Sequence, residues 1–179
     1  MMEISLEELR QRAAKIKWFF CDIDGTLTDG CVYYSPEGEM LKKFSLRDGT
    51  GFFLLKQAGI KTGFITTENS LIVEQRAKKL KIDKYIFGTH QKLEAMQEFV
   101  KREGLSLDNI AFIGDELNDV KLLTASGIGF AVGDADKRVK DVSCVVCERN
   151  GGNGAFREAV DIFLSLYGVS VDEIIRNIL

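Results

Sequence analysis

Two aspartates, Asp22 and Asp24, stand where the apolar run Trp18-Phe19-Phe20-Cys21 gives out. Strand side chains alternate, so the spacing predicts two carboxylates on one side, one pleat apart. Such a pair repels itself and loses hydration, and a fold keeps it chiefly where a cation or a reaction uses it. A second acidic stretch, Asp115-Glu116-Leu117-Asn118-Asp119, follows the apolar run Ile110 to Gly114. Thr66 ends a third apolar run, and Lys92 opens a helical pattern. Carboxylates, a hydroxyl and a lysine make a shell suited to Mg²⁺ with a phosphate. Magnesium takes oxygen ligands and keeps several waters, while the lysine and hydroxyl hold phosphate oxygens and offset their charge.

Each residue also has an ordinary explanation. Asp-x-Asp is common in loops, and a lysine at a helix start is usually solvated. Thr66 could cap a helix, and Asp119 could pair with a lysine on a helix face. Their joint occurrence at successive strand ends is what these explanations leave over.

The elements that must position these groups are legible from periodicity. Ser5 and Glu8 form a capping box before a short amphipathic helix. The first strand is expected to run to Asp24. Cys31 to Ser35 and Glu39 to Phe44, around Pro36-Glu37-Gly38, read as an inserted hairpin at about 31–44. Asp48-Gly49-Thr50-Gly51 opens a helix ended by Gly59, and Lys61 to Thr66 is a strand. Helices over Ser70–Leu80 and Lys92–Arg102 bracket a short strand, Tyr85–Phe87. Ile110–Gly114, Ile128–Val132 and Val142–Val146 are the remaining strands. A helix over Ala155–Leu166 and a last one from Ser170, boxed by Glu173, to Leu179 end the chain. Short apolar strands alternating with helices predict an α/β fold, a doubly wound parallel sheet in one domain spanning 1–179. Ligands of such sheets bind beyond the carboxyl ends of the strands, where strand order reverses.

With 179 residues, 45% hydrophobic and 28% charged, the chain can bury a full core without disulfides. A net charge of -3 argues against a nucleic-acid groove or an anionic membrane surface. No apolar run approaches the roughly 20 residues of a membrane span. Met1 to Lys17 reads as a polar helix rather than a signal peptide, so a cytoplasmic protein is expected. Cys144 and Cys147 form a C-x-x-C, but His90 is the single histidine, and both cysteines read as ordinary thiols on a strand.

Together the motifs resemble those of the haloacid dehalogenase superfamily of phosphatases. Asp22-Ile23-Asp24-Gly25-Thr26 is similar to its first motif, Thr66 to the second, Lys92 to the third, and Gly114-Asp115 with Asp119 to the fourth. The length leaves no room for the cap domain most members carry. Leu27-Thr28-Asp29-Gly30, Phe44 to Gly51 and Arg149 to Glu158 resemble the capless 3-deoxy-D-manno-octulosonate 8-phosphate phosphatases of lipopolysaccharide biosynthesis. That resemblance implies a homotetramer acting on a phosphorylated sugar acid. After Thr66 the subfamily usually has Gly-Arg, whereas this chain has Thr67-Glu68, which resembles phosphatases of nine-carbon 2-keto-3-deoxy sugar acids.

The resemblance also implies roles. Asp22 is the nucleophile and Asp24 the acid and base. Mg²⁺ is held by Asp22, Asp115 and the backbone carbonyl of Asp24, with Asp119 bracing the site. Thr66 and Lys92 bind phosphate oxygens. Ser45, Arg47, Asp48, Gly49, Glu68, Arg76 and Lys79 are expected on the sugar-acid side, the cations facing its carboxylate. Two other classes share part of the pattern. A receiver-type signalling domain has acidic strand ends, a threonine and a lysine around Mg²⁺, but no need of a second aspartate two residues on. A regulatory module of the same fold could keep the motifs without activity.

Overall fold

The Trp18–Cys21 run forms β1, buried along its whole length. The structure is a computed structural model and describes residues 4–177. Met1 to Glu3, and Ile178 and Leu179 at the end of the expected last helix, lie outside the described residues. After β1 come the antiparallel strands β2 (Thr28–Ser35) and β3 (Gly38–Phe44) of the expected hairpin. Then follow β4 (Lys61–Ile65), β5 (Lys84–Ile86), β6 (Ile110–Gly114), β7 (Ile128–Ala131) and β8 (Val145–Val146). Apart from the hairpin, the strands make one six-stranded sheet ordered β5-β4-β1-β6-β7-β8. All of its pairings are parallel. The chain steps outward from β1 to β4 and β5, then returns to β6 on β1's other side. Strand order therefore reverses at β1, beside the first acidic stretch.

The helices are α1 (Leu6–Ala13), α2 (Leu46–Gln57), α3 (Leu71–Leu80), α4 (Lys92–Glu103), α5 (Val120–Ala125), α6 (Lys137–Val142), α7 (Ala155–Tyr167) and α8 (Val171–Arg176). Neighbouring residues of β1 show which helices lie on which face. Phe19 meets Phe156 and Phe163 of α7, whereas Phe20 meets Phe99 of α4. Adjacent strand side chains point oppositely, so α7 and α4 cover opposite faces of the sheet. On the α7 face, Phe52 of α2 stacks on Phe156 with ring centroids 4.0 Å apart. Gly51 permits that approach: a Cβ there would lie 3.0 Å from the Phe156 ring. No helix among the described residues is long and apolar enough to cross a membrane.

Several expected boundaries move. β1 ends at Cys21 rather than Asp24, so strand alternation does not govern Asp24. The helix α2 begins at Leu46, not at Asp48, because Ser45 caps it, its hydroxyl accepting from the Arg47 N–H. Val142 belongs to α6 rather than to the last strand. Asp136 caps that helix and Val139 fills its buried side, leaving only Val145–Val146 as β8. Of each expected capping box the serine half is seen: the Ser5 hydroxyl accepts from the Glu8 N–H at 3.1 Å and the Ser170 hydroxyl from the Glu173 N–H at 3.4 Å.

Candidate active site

Past β1 the chain makes one more ladder bond, the Asp22 N–H donating to the Ile113 carbonyl at 3.0 Å. It then turns tightly, with the N–H groups of Thr26, Leu27 and Thr28 all converging on the Ile23 carbonyl. Gly25 sits in this turn at φ +87°, and a Cβ on it would lie 2.0 Å from Asp115 Oδ2. Glycine is required both by the backbone angle and by the closeness of the second acidic stretch. The Thr26 hydroxyl donates to Asp115 Oδ1 at 2.6 Å, tying the two loops together. From the other side the Gly151–Gly152 backbone closes on the turn, the Gly152 N–H donating to the Thr26 carbonyl at 3.0 Å. Asp134, beyond β7, holds that wall by accepting from the Gly151 N–H.

Asp22, Asp115 and Asp119 each offer an oxygen, and these lie within 4.8 Å of one another. Lys92, at the first position of α4, is buried among them. Its ammonium donates to Asp22 Oδ1 at 2.7 Å and to Asp119 Oδ1 at 2.5 Å. The other oxygen of Asp119 accepts from the N–H groups of Asp115 and Glu116, fixing the loop after β6. Gly114 makes room for this, since a Cβ there would meet Asp119 Oδ2 at 2.4 Å.

With all three carboxylates ionised, one ammonium would leave the cluster two negative charges in excess. Burial, then the charge of Asp119, pushes the Asp22 carboxyl well above its ordinary range. Burial also raises Asp115 to about 7, against the lowering effect of the Thr26 hydroxyl. Lys92 is raised, because attraction to Asp22 and Asp119 outweighs its loss of hydration. Hard oxygens and an excess of two charges fit a divalent, oxygen-seeking cation such as Mg²⁺.

Asp24 faces a different cation. Its Oδ1 accepts from the buried ammonium of Lys42 on β3, which also bonds Glu39 at 3.1 Å. The sequence pattern does not single out Lys42. Two adjacent lysines in a hairpin read as solvated, and the remaining signal is that Lys42 shares a strand face with Phe44. Thr66 is buried at the end of β4, and its hydroxyl accepts from the Glu68 N–H at 3.3 Å. That leaves its own proton to donate to a ligand oxygen.

The expected sugar-acid residues divide. Arg47, Glu68 and Lys79 have exposed side chains. Arg47 lines a cavity of about 600 Å³ with Arg149, Arg157 and Glu158, none of them in the carboxylate cluster. Ser45, Asp48, Gly49 and Arg76 form a packed turn instead. Arg76 donates to the Ser45 carbonyl at 3.1 Å, lies over the Phe44 ring, and keeps a buried Nε without a partner. Both oxygens of Asp48 accept backbone N–H groups, from Gly154 and Arg157, at the start of α7. Its carboxyl is raised by burial, against those bonds. Cys147 is a buried thiol pushed up to about 12, chiefly by burial, and Cys144 is half-buried.

The chain has known relatives. A family model described as haloacid dehalogenase-like hydrolase matches residues 84–158. The 3-deoxy-D-manno-octulosonate 8-phosphate phosphatase of Haemophilus influenzae is 36% identical over 162 residues, 90% of this chain and 90% of the relative. The chain belongs to the haloacid dehalogenase-like hydrolases. Solved members of the family superpose over most of the chain. The octulosonate phosphatase of Moraxella catarrhalis, in complex with a magnesium ion, a phosphate ion and a KDO molecule, matches with a TM-score of 0.91. It is 36% identical and covers 98% of this chain and 100% of its own. The cobalt-bound Haemophilus influenzae phosphatase matches with a TM-score of 0.84, also at 36% identity, over 88% of this chain and 92% of its own. Family membership separates this site from the receiver-type domain that shares its acidic strand ends.

Proposed function

We propose that the chain is a Mg²⁺-dependent phosphatase acting on a 2-keto-3-deoxy sugar acid, 3-deoxy-D-manno-octulosonate 8-phosphate. The observation that carries this reading is the gathering of Asp22, Asp115 and Asp119 around one ammonium, in a chain 36% identical to an octulosonate phosphatase over 90% of its length. Asp22, Asp115 and Asp119, with the carbonyl of Asp24, would hold the cation. When bound, it supplies positive charge that neutralises and aligns the phosphoryl group.

The chain's own residues do the rest. The Asp22 oxygen that Lys92 does not hold attacks phosphorus, giving an aspartyl-phosphate and splitting one hard displacement into two. Asp24 gives a proton to the departing sugar oxygen, then takes one from the water that hydrolyses the aspartyl-phosphate. Lys92 and the Thr66 hydroxyl donate to phosphate oxygens, and Asp119 braces the loop after β6. On the sugar-acid side we assign Arg47, Glu68 and Lys79 as exposed contacts. Ser45, Asp48 and Gly49, with Arg76 against them, shape the turn that carries Arg47, and the unmet Nε of Arg76 suits a carboxylate.

A second reading has one observation in its favour. Glu68, where the octulosonate enzymes usually carry arginine, is exposed, with no ion pair among the described residues. It would suit the nine-carbon substrate, 2-keto-3-deoxynononate 9-phosphate. We further propose a single domain, working in the cytoplasm as a homotetramer. Exposed Tyr33, Tyr34, Met40 and Leu41 on the hairpin support the assembly.

The test is phosphate release from a panel of phosphorylated sugar acids with Mg²⁺. Turnover is expected, fastest on the octulosonate ester. Release from none of them would remove the reading and leave the non-catalytic module of the same fold. Preference for the nononate ester would move the assignment to the second substrate.

A further inference from the structure

Asp24 is gripped by a cation that the hairpin supplies. The Lys42 side chain is 1% exposed, and its ammonium bonds Asp24 Oδ1 and Glu39 Oε1. Glu39 Oε2 in turn accepts from the Ser70 hydroxyl, and that hydroxyl caps α3 by accepting from the Val73 N–H at 3.4 Å. A continuous polar chain therefore joins the Asp22–Asp24 loop, the hairpin and the loop carrying Thr66 and Glu68. At its near end one atom is left over: Asp24 Oδ2 is buried and has no hydrogen-bond partner. A buried acceptor in that state marks a place where a partner arrives with the ligand.

We infer that Lys42 is the positioning residue for proton transfer: by anchoring Oδ1, it leaves Oδ2 as the atom that hands over the proton. This rests on the phosphatase reading above. As the bond from Asp22 to phosphorus forms and the bond to the sugar oxygen breaks, the proton on Asp24 Oδ2 passes to that oxygen. The carboxylate left behind meets an ammonium already in place. In the second step water attacks phosphorus, its proton returns to Oδ2, and Asp22 departs as a carboxylate. Glu39 holds the other side of the ammonium, and Ser70 ties the hairpin to the loop after β4.

A tether that merely held the hairpin down would slow every substrate alike, whereas a proton-positioning residue would not. Nitrophenolate leaves without needing a proton; a sugar alkoxide does not. The experiment measures kcat/KM, which ends at leaving-group departure, with Mg²⁺ on 3-deoxy-D-manno-octulosonate 8-phosphate and on 4-nitrophenyl phosphate. Lys42→Met should lower the value about 100-fold on the sugar ester and less than about tenfold on the aryl ester. Combined with Asp24→Asn, it should cost nothing beyond Asp24→Asn alone. Should Lys42→Met fail to fold, Lys42→Gln, whose shorter amide keeps N–H donors but carries no charge, gives the same comparison. Equal losses on both esters, an unaffected variant, or additive losses in the double variant would overturn the inference. Failure of the phosphatase reading looks different: the unmodified protein would release phosphate from neither ester.

Discussion

Lys92 is a fully buried ammonium that opens a helix, where a cation is disfavoured by the helix dipole as well as by lost hydration. Only the carboxylates of Asp22 and Asp119 make that position tenable. Asp22 is itself costly where it stands, since burial and Asp119 oppose its charge. A side chain kept at such a cost belongs to the chemistry rather than to stability. Asp22→Asn should therefore abolish phosphate release, a loss of at least about 1,000-fold in kcat, while the metal-free protein still folds and unfolds cooperatively. Steady-state turnover and thermal unfolding check both halves. Substantial residual turnover would rule out the covalent role. At this scale the sequence marks Asp22, Asp115 and Lys92 well, because motif spacing reaches them directly. It passes over Lys42, whose burial depends on how the hairpin folds back.

At the scale of elements, the site is assembled by loops that nearly touch. The turn after β1 and the loop after β6 approach so closely that Gly25 cannot carry a side chain. Gly25→Ala would add a Cβ 2.0 Å from Asp115 Oδ2 and force a non-glycine residue to φ +87°. Strain of this kind costs about 1–3 kcal/mol. The substitution should lower the unfolding temperature and weaken Mg²⁺ binding together, as calorimetry would read. Loss of neither would mean that the two loops are not in contact. On the reading proposed above, the loop from Thr66 to Ser70 faces the sugar acid and should bear on substrate choice. Glu68→Arg should shift the kcat/KM ratio about tenfold towards the eight-carbon ester, the worth of one charge-assisted hydrogen bond. An unchanged ratio would show that position 68 does not select. The strands and long helices are legible from periodicity. The short helices α5 and α6 are not, since one and a half turns are too few for a helical repeat to declare itself.

For the whole molecule, an acidic cluster in excess of its one ammonium couples stability, pH and metal. Asp115 is raised in the fold to about 7 from an ordinary 3.8, so between those values the folded chain holds a proton that the unfolded chain has lost. Metal-free stability should therefore fall as pH rises through that window. Asp22 is shifted the same way, adding to the trend. A cation needs the ionised carboxylates, so the rise in unfolding temperature on adding Mg²⁺ should be larger at pH 8 than at pH 5. Thermal unfolding with chelator and with Mg²⁺ at both pH values measures it, and a pH-independent rise would count against binding at this cluster. By itself, the sequence determined the layered α/β architecture and the strand ends that carry acid, because burial periodicity and motif spacing are local properties of the chain. Only the tertiary structure decided that Asp22 answers to Lys92 and Asp24 to Lys42. Those pairings join residues 70 and 18 positions apart, and nothing in the order of the chain says which distant ammonium arrives beside which carboxylate.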